Sequence, residues 1–180
     1  RRTVRIAVGY FIGEDVTFNY KTQYWYNRYF SSLSEVLSFS LAHADKSLEL
    51  AAVRDNELSE SGLNSDQQFL LAHSTRSYYG STQWLDNGRP VWVVNEGEYL
   101  MINTLDLTVD MLFFELRYNP WTVRNVLEHF ATRYAYHDQI FSPDAPEHLY
   151  EGGLSFTHDM GVGNVFSPEK YSCYECGGIR

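Results

Sequence analysis

A mainly α chain with a short β piece ahead of it is what this sequence predicts, and three observations carry that reading. Leu105, Val109, Leu112, Phe113 and Leu116 recur at helical spacing. Val123, Val126, Leu127, Phe130, Ala131 and Tyr134 repeat the stripe just downstream. Residues 1–30, by contrast, hold no helical period, and Thr3–Val8 alternates weakly as a strand does.

Taken in order, Thr3-Val4-Arg5-Ile6-Ala7-Val8 reads as a last strand, punctuated by Gly9 and Gly13. An extended connection follows, rich in Tyr20, Tyr24, Trp25, Tyr26, Tyr29 and Phe30, whose rings either pack or stack on sugars. Ser32-x-x-Glu35 has the form of a capping box. Leu33, Val36, Leu37, Leu41, Ala44 and Leu48 behind it mark the buried face of a helix running to about Leu58. Ser59, Ser61, Gly62 and Asn64 break it, and Ser65-x-x-Gln68 is a second capping box before Phe69-Leu70-Leu71-Ala72. That helix ends near Tyr79-Gly80, and Asp86-Asn87-Gly88-Arg89-Pro90 is a turn-rich link.

The link leads into Val91-Trp92-Val93-Val94, an apolar run short enough for a buried strand. It delivers Asn95-Glu96-Gly97-Glu98-Tyr99, after which Asn103-Thr104-Leu105-Asp106 opens a helix. Asn119-Pro120 stops that helix and starts the next, Pro being well suited to a first helical position. Two amphipathic helices so closely linked form an αα-hairpin. From Ala135 the tail is loop-like, with Pro143, Pro146, Pro168 and six glycines, and it closes on Cys176-Gly177-Gly178-Ile179-Arg180 without a helix. The sequence therefore reads as a truncated piece of something larger.

Composition narrows the function classes. With 180 residues, 44% hydrophobic and 16% aromatic, there is material for a packed core. A net charge of −9 with no basic block argues against a nucleic-acid partner. No apolar run reaches the roughly 18 residues of a membrane span, and the opening RRTVRIAVGY lacks a signal-peptide layout. Cys173 and Cys176 alone cannot build a disulfide framework, which suits a cytoplasmic setting.

Three polar clusters could carry chemistry: Glu96/Glu98, Asn103/Thr104/Asp106 and His158/Asp159. Glu96 and Glu98 share a face if the segment is extended. They serve as an acid/base pair or metal site, or else simply face water in a turn. Asn103 or Thr104 either caps the following helix or belongs to a site. Asp106 falls in the first turn, where its charge suits the helix dipole. His158-Asp159 either binds a substrate hydroxyl or a metal, or shapes a Gly-rich loop. Cys173-x-x-Cys176 would need two further ligands to hold zinc, with His148 and His158 as the candidates. Nothing in the chain suggests a metal or cofactor requirement.

The runs Asn95-Glu96-Gly97-Glu98-Tyr99, Met101 to Asp110, Leu112 to Leu116, Asn119 to Val123 and Gly153 to Gly161 resemble glycoside hydrolase family 52, the bacterial β-xylosidases. The resemblance extends over nearly the whole chain. It implies an N-terminal β-sandwich and a C-terminal (α/α)6 barrel, so that 1–30 would hold the end of the sandwich and the linker, and 31–180 the N-terminal part of the barrel. It implies a retaining exo-acting enzyme that releases xylose from β-1,4-xylo-oligosaccharides. Glu96 matches the nucleophile, and Glu98 is the second choice. Asp106, His158 and Asp159 match contacts to the sugar hydroxyls, with Asn103 and Thr104 beside them as candidate substrate-binding residues. The family's acid/base aspartate lies beyond Arg180, so these 180 residues alone are expected to be inactive or nearly so. Such an enzyme needs two carboxyls about 5–5.5 Å apart, one ionised to attack and one protonated to release the leaving group. The alternatives are a β-glucosidase of a related (α/α)6 family and a non-catalytic carbohydrate-binding helical module. The expected partner is a xylo-oligosaccharide, with no nucleic acid and no membrane, and a homodimer is one option for the full-length form.

Overall fold

The computed structural model describes residues 4–142 and 144–169. They fall into two units, one drawn from 4–14 and 24–81, the other from 15–23 and 82–169. With 45% helix and 24% strand, the described residues are not mainly α and form no α/α barrel. The expectation of a helical barrel fails because much of the tail, read as loop, is paired strand.

In the first unit the expected strand at the start does not form. Val4, Ile6 and Val8 are exposed at 77%, 82% and 92%. Alternation alone makes no strand, which exists through its ladder to a neighbour. A two-residue strand β1 (Gln23–Tyr24), whose first residue is counted with the second unit, and a 3-10 turn (Trp25–Arg28) precede α1 (Leu33–Ala42), α2 (Ala44–Ser59) and α3 (Ser65–Gly80). Ser32 caps α1 by accepting from the Glu35 amide at 3.3 Å. The Glu35 carboxylate, however, takes the Ser31 amide at 2.7 Å rather than that of Ser32, so the expected capping box is only half made. The single helix expected from 33 to 58 breaks at His43, whose ring stacks on Phe39 at 4.0 Å. The second capping box sits one residue earlier than expected. Asn64 accepts from the Asp66 and Gln67 amides, and the Gln67 side chain accepts from the Asn64 amide at 3.1 Å. None of the residues in these three helices is buried, and Leu33, Leu41 and Leu48 of the anticipated buried face are exposed.

The second unit holds β2 (Thr82–Asp86), β3 (Pro90–Glu96), β4 (Met101–Ile102), α4 (Leu105–Tyr118), α5 (Pro120–Arg133), β5 (Ala135–Ser142), β6 (Ala145–Phe156), β7 (Gly161–Val162) and β8 (Val165–Phe166). The link at 86–90 is a hairpin turn, with Gly88 at φ +77° and Asp86 opposite Pro90. Its first strand, β2, is not among the elements the sequence predicts. The order β2-β3-β4-β7-β8 makes one antiparallel sheet. A second sheet is the long β5–β6 hairpin, from Ala135 opposite Phe156 to Ser142 opposite Ala145. Gly152 and Gly153, which the sequence predicts in a loop, lie where its register shifts between His137 and Gln139. A Cβ on Gly152 would stand 2.8 Å from the Asp138 carbonyl oxygen, so the glycine permits close approach at a bulge.

The core belongs to this unit. Leu85, Val91, Val93, Ile102, Val126, Phe130, Tyr134, Met160 and Phe166 are each at most 3% exposed. Neighbouring Val91, Trp92 and Val93 are all buried, as expected of a strand covered on both faces. Tyr20 packs edge-on against Phe166 at 5.4 Å and lies under the Arg133 guanidinium at 4.1 Å, so this aromatic is used for packing.

Candidate active site

The apolar run of β3 carries its own continuation, Asn95-Glu96, out to the end of the sheet. Two asparagine side chains complete the edge of β3 that β2 leaves open. Asn125 on α5 donates to the Pro90 carbonyl at 2.8 Å and accepts the Trp92 amide at 2.7 Å. Asn103 donates to the Trp92 carbonyl at 3.0 Å and accepts the Val94 amide at 2.8 Å. Every polar group so satisfied is one fewer to leave bare in the core. Beyond them β4 takes over, with Asn95 opposite Ile102 and Glu96 opposite Met101.

The turn from Gly97 to Leu100 has left-handed residues at both ends, Gly97 at φ +55° and Leu100 at φ +52°. A leucine there is strained, which is a mark often found beside functional groups. Asn103 is also left-handed, at φ +51°. This bend, three residues past the turn, ends β4 and leads into α4 at Leu105.

The bend brings the first two polar clusters together. The Thr104 hydroxyl donates to Glu96 Oε2 at 2.5 Å. Thr104 stands at the N-cap position of α4 but makes no side-chain cap bond there. The expected capping role is thus filled by neither Asn103 nor Thr104. Asn103 is 1% exposed, with its amide engaged on β3 and on Met160 Sδ at 3.5 Å, so it lies behind the site and supports it. Asp106, exposed in the first turn, accepts its neighbour Leu107's amide at 3.0 Å. Glu98 is exposed within the turn after β3, so the shared extended face anticipated for Glu96 and Glu98 is not formed.

The third cluster joins through the backbone. The Leu105 amide donates to the His158 carbonyl at 2.8 Å, and the Met160 amide to the Ile102 carbonyl at 2.8 Å. This sets the 157–161 loop against the start of α4. Within it Asp159 Oδ1 accepts the Gly161 amide at 2.8 Å, and Oδ2 lies 3.1 Å from His158 Nδ1. Asp159 is 7% exposed, and the Thr157 hydroxyl donates to its carbonyl at 2.5 Å. Gly161, at φ +136°, admits no side chain, because a Cβ would fall 2.1 Å from the Val165 carbonyl oxygen.

A small cleft opens beside Glu96, lined by Val94, Asn95, Thr104, Leu107, Thr108 and Met111. Leu107, Thr108 and Met111 were not singled out from sequence. Their signal was a face of α4 at the same period as the apolar stripe, but mixed in polarity. Chemically, this is a carboxylate at the mouth of an apolar-backed cleft with one oxygen held by a hydroxyl, which leaves Oε1 for an electrophile. Among the described residues no group of three His, Cys, Asp or Glu side chains could hold a metal ion, and no helix is long and apolar enough to cross a membrane. Cys173 and Cys176 lie outside the described residues.

Comparison with known proteins gives this geometry a context. The family model described as glycosyl hydrolase family 52 matches residues 1–180. A protein named beta-xylosidase from Geobacillus stearothermophilus is 49% identical over 181 residues, covering 99% of this chain and 25% of the relative. A second beta-xylosidase of that organism is 50% identical over 161 residues, covering 88% of this chain and 26% of the relative. The chain thus spans about a quarter of the length of these relatives.

Proposed function

The chain belongs to glycosyl hydrolase family 52, and from that premise we propose that the protein carrying it is a retaining exo-β-1,4-xylosidase acting on xylo-oligosaccharides. Glu96 is its nucleophile. The observation that carries this reading is the Glu96 carboxylate at the end of β3, held at one oxygen by Thr104 beside a cleft. Such a carboxylate attacks the anomeric carbon of a β-xyloside and forms a covalent xylosyl-enzyme, which water then hydrolyses. His158 and Asp106 flank the start of the same helix and contact sugar hydroxyls, where hydrogen bonds that strengthen in the oxocarbenium-like transition state raise the rate. Asp159 orients His158. The acid/base carboxyl is supplied from beyond Arg180, so a chain limited to these 180 residues hydrolyses little or nothing. A bacterial cytoplasmic setting belongs to the same proposal.

The test is hydrolysis of p-nitrophenyl β-xyloside by the full gene product that carries these residues. Glu96→Gln should lower kcat by about a thousandfold or more. Azide should restore Glu96→Gly and yield the inverted α-xylosyl azide. Full activity in Glu96→Gln with loss in Glu98→Gln would move the nucleophile to Glu98. Faster cleavage of the β-glucoside would make the protein a β-glucosidase, and sugar binding without any hydrolysis would make it a carbohydrate-binding module.

A further inference from the structure

We infer that Thr104 is a positioning residue that fixes which oxygen of Glu96 attacks and assists that oxygen's later departure. The inference rests on Glu96 being the nucleophile. A threonine at a helix N-cap normally turns its oxygen to the second or third backbone amide of the helix, a bond that stabilises the helix start. Thr104 forgoes it. Its hydroxyl, 4% exposed with its residue, donates instead to Glu96 Oε2 at 2.5 Å, the short range of a charge-assisted bond. The donor is itself held in place. The Thr104 carbonyl accepts both the amide and the hydroxyl of Thr108 at 2.9 Å. Asn103 before it is locked to β3, and the Leu105 amide after it is bonded to His158.

A glutamate's terminal torsion is broad, and left alone its two oxygens exchange freely. Thr104 removes that freedom, leaving Oε1 to form the bond to the anomeric carbon. In the first step the carboxylate loses charge, so the hydrogen bond weakens and contributes mainly alignment. The second step reverses this. Water's oxygen bonds to the anomeric carbon while its proton passes to the acid/base carboxylate. The bond from that carbon to Oε1 breaks and its electron pair stays on Glu96. The returning charge is shared with Oε2, where the Thr104 donor is already placed, so this transition state gains more than the ester that precedes it.

The experiment uses 2,4-dinitrophenyl β-xyloside, whose leaving group needs no protonation, on the full gene product. Thr104→Val should lower kcat by about tenfold to a hundredfold, as expected for a hydrogen bond to a charged group. KM should fall alongside it, because xylosyl-enzyme accumulates, and intact-protein mass should show more of the adduct on Glu96. Thr104→Ser should return kcat to within a few-fold of the parent. If Thr104→Val does not fold, the Ser and Ala variants isolate the hydroxyl, since both lack the methyl. A slow Ala variant beside an active Ser variant supports the role. Equal Ser and Ala variants, or a kcat loss with KM unchanged, would overturn it. Absent azide rescue of Glu96→Gly, the nucleophile reading itself fails. Rescue at Glu96 with Thr104 variants like the parent removes this inference alone.

Discussion

Helices α4 and α5 each run 14 residues, are joined by Asn119, and carry the same apolar stripe in sequence, yet α5 buries three positions of its stripe, leaving Leu127 and Ala131 exposed, while α4 buries none. On α5, Val123, Val126 and Phe130, with Tyr134 just past its end, are at most 8% exposed. On α4, Val109, Phe113 and Leu116 are exposed at 53%, 80% and 47%. Within α4 only Glu115 is buried, and with Met111, Thr108 and the N-cap Thr104 it forms a second face at the same helical period that is mostly polar. Period alone names two candidate faces. The covered one on α4 is the face whose polar groups have bonds to make: Thr104 to Glu96, Thr108 to the Thr104 carbonyl, Glu115 to Thr122.

The strongest test of this contrast is a pair of truncations read by denaturant unfolding. Phe130→Ala, removing a ring that is 2% exposed, should cost about 3–5 kcal/mol. Phe113→Ala should change stability by no more than about 0.5 kcal/mol. Equal losses would mean that the α4 stripe is covered in solution after all.

A smaller effect separates the helices by pH. Burial pushes the Tyr134 phenol up to about 12 from its ordinary 10. The folded state then holds a proton that the unfolded state releases between those values. Stability should accordingly fall as pH rises from 10 to 12, by about 2–3 kcal/mol in all. Tyr134→Phe should remove that alkaline limb, as followed by the thermal midpoint. On the same helix, burial lowers the pKa of His129. Its contribution is present above about 6.5, the unfolded value, and declines as pH falls below it.

The smallest change probes the polar seam between the two helices. Thr122 Oγ1 lies 2.8 Å from Glu115 Oε2 and 2.8 Å from the Asn119 carbonyl oxygen, while Glu115 Oε1 is buried without a partner. Thr122→Val should therefore cost about 1–3 kcal/mol in the same unfolding experiment, because it leaves the buried carboxylate bare. A neutral result would mean that water reaches Glu115.

What was legible in the sequence was local. The β3 run, α3's end at Gly80, the αα-hairpin broken at Asn119-Pro120 and the covered Val123, Val126 and Phe130 of α5 follow from spacing and propensity, whereas Leu127 and Ala131 of the same stripe are exposed. The strands of the tail did not, because Gly152 and Gly153 mark a bulge in β6 and resemble loop punctuation until the partner strand is known. The described part of the run at the start, Val4–Val8, failed in the opposite sense, offering alternation without a ladder. For the site, Glu96 and His158-Asp159 stood out by residue type and resemblance. The direct bond from Thr104 to Glu96 did not, since it depends on the left-handed turn of Asn103, a torsion that no spacing reveals.

The short path from Glu96 to Thr104 acts as a ruler. Eight positions separate them, and the return is pinned by Glu96 opposite Met101 and Asn95 opposite Ile102. A one-residue slip in an antiparallel pair turns every following side chain to the other face. A residue inserted between Gly97 and Leu100 can bulge outward at small cost, whereas one inserted between Met101 and Thr104 would swing the hydroxyl away from the carboxylate. Length variation among natural versions of this segment should therefore gather in the first interval and be absent from the second.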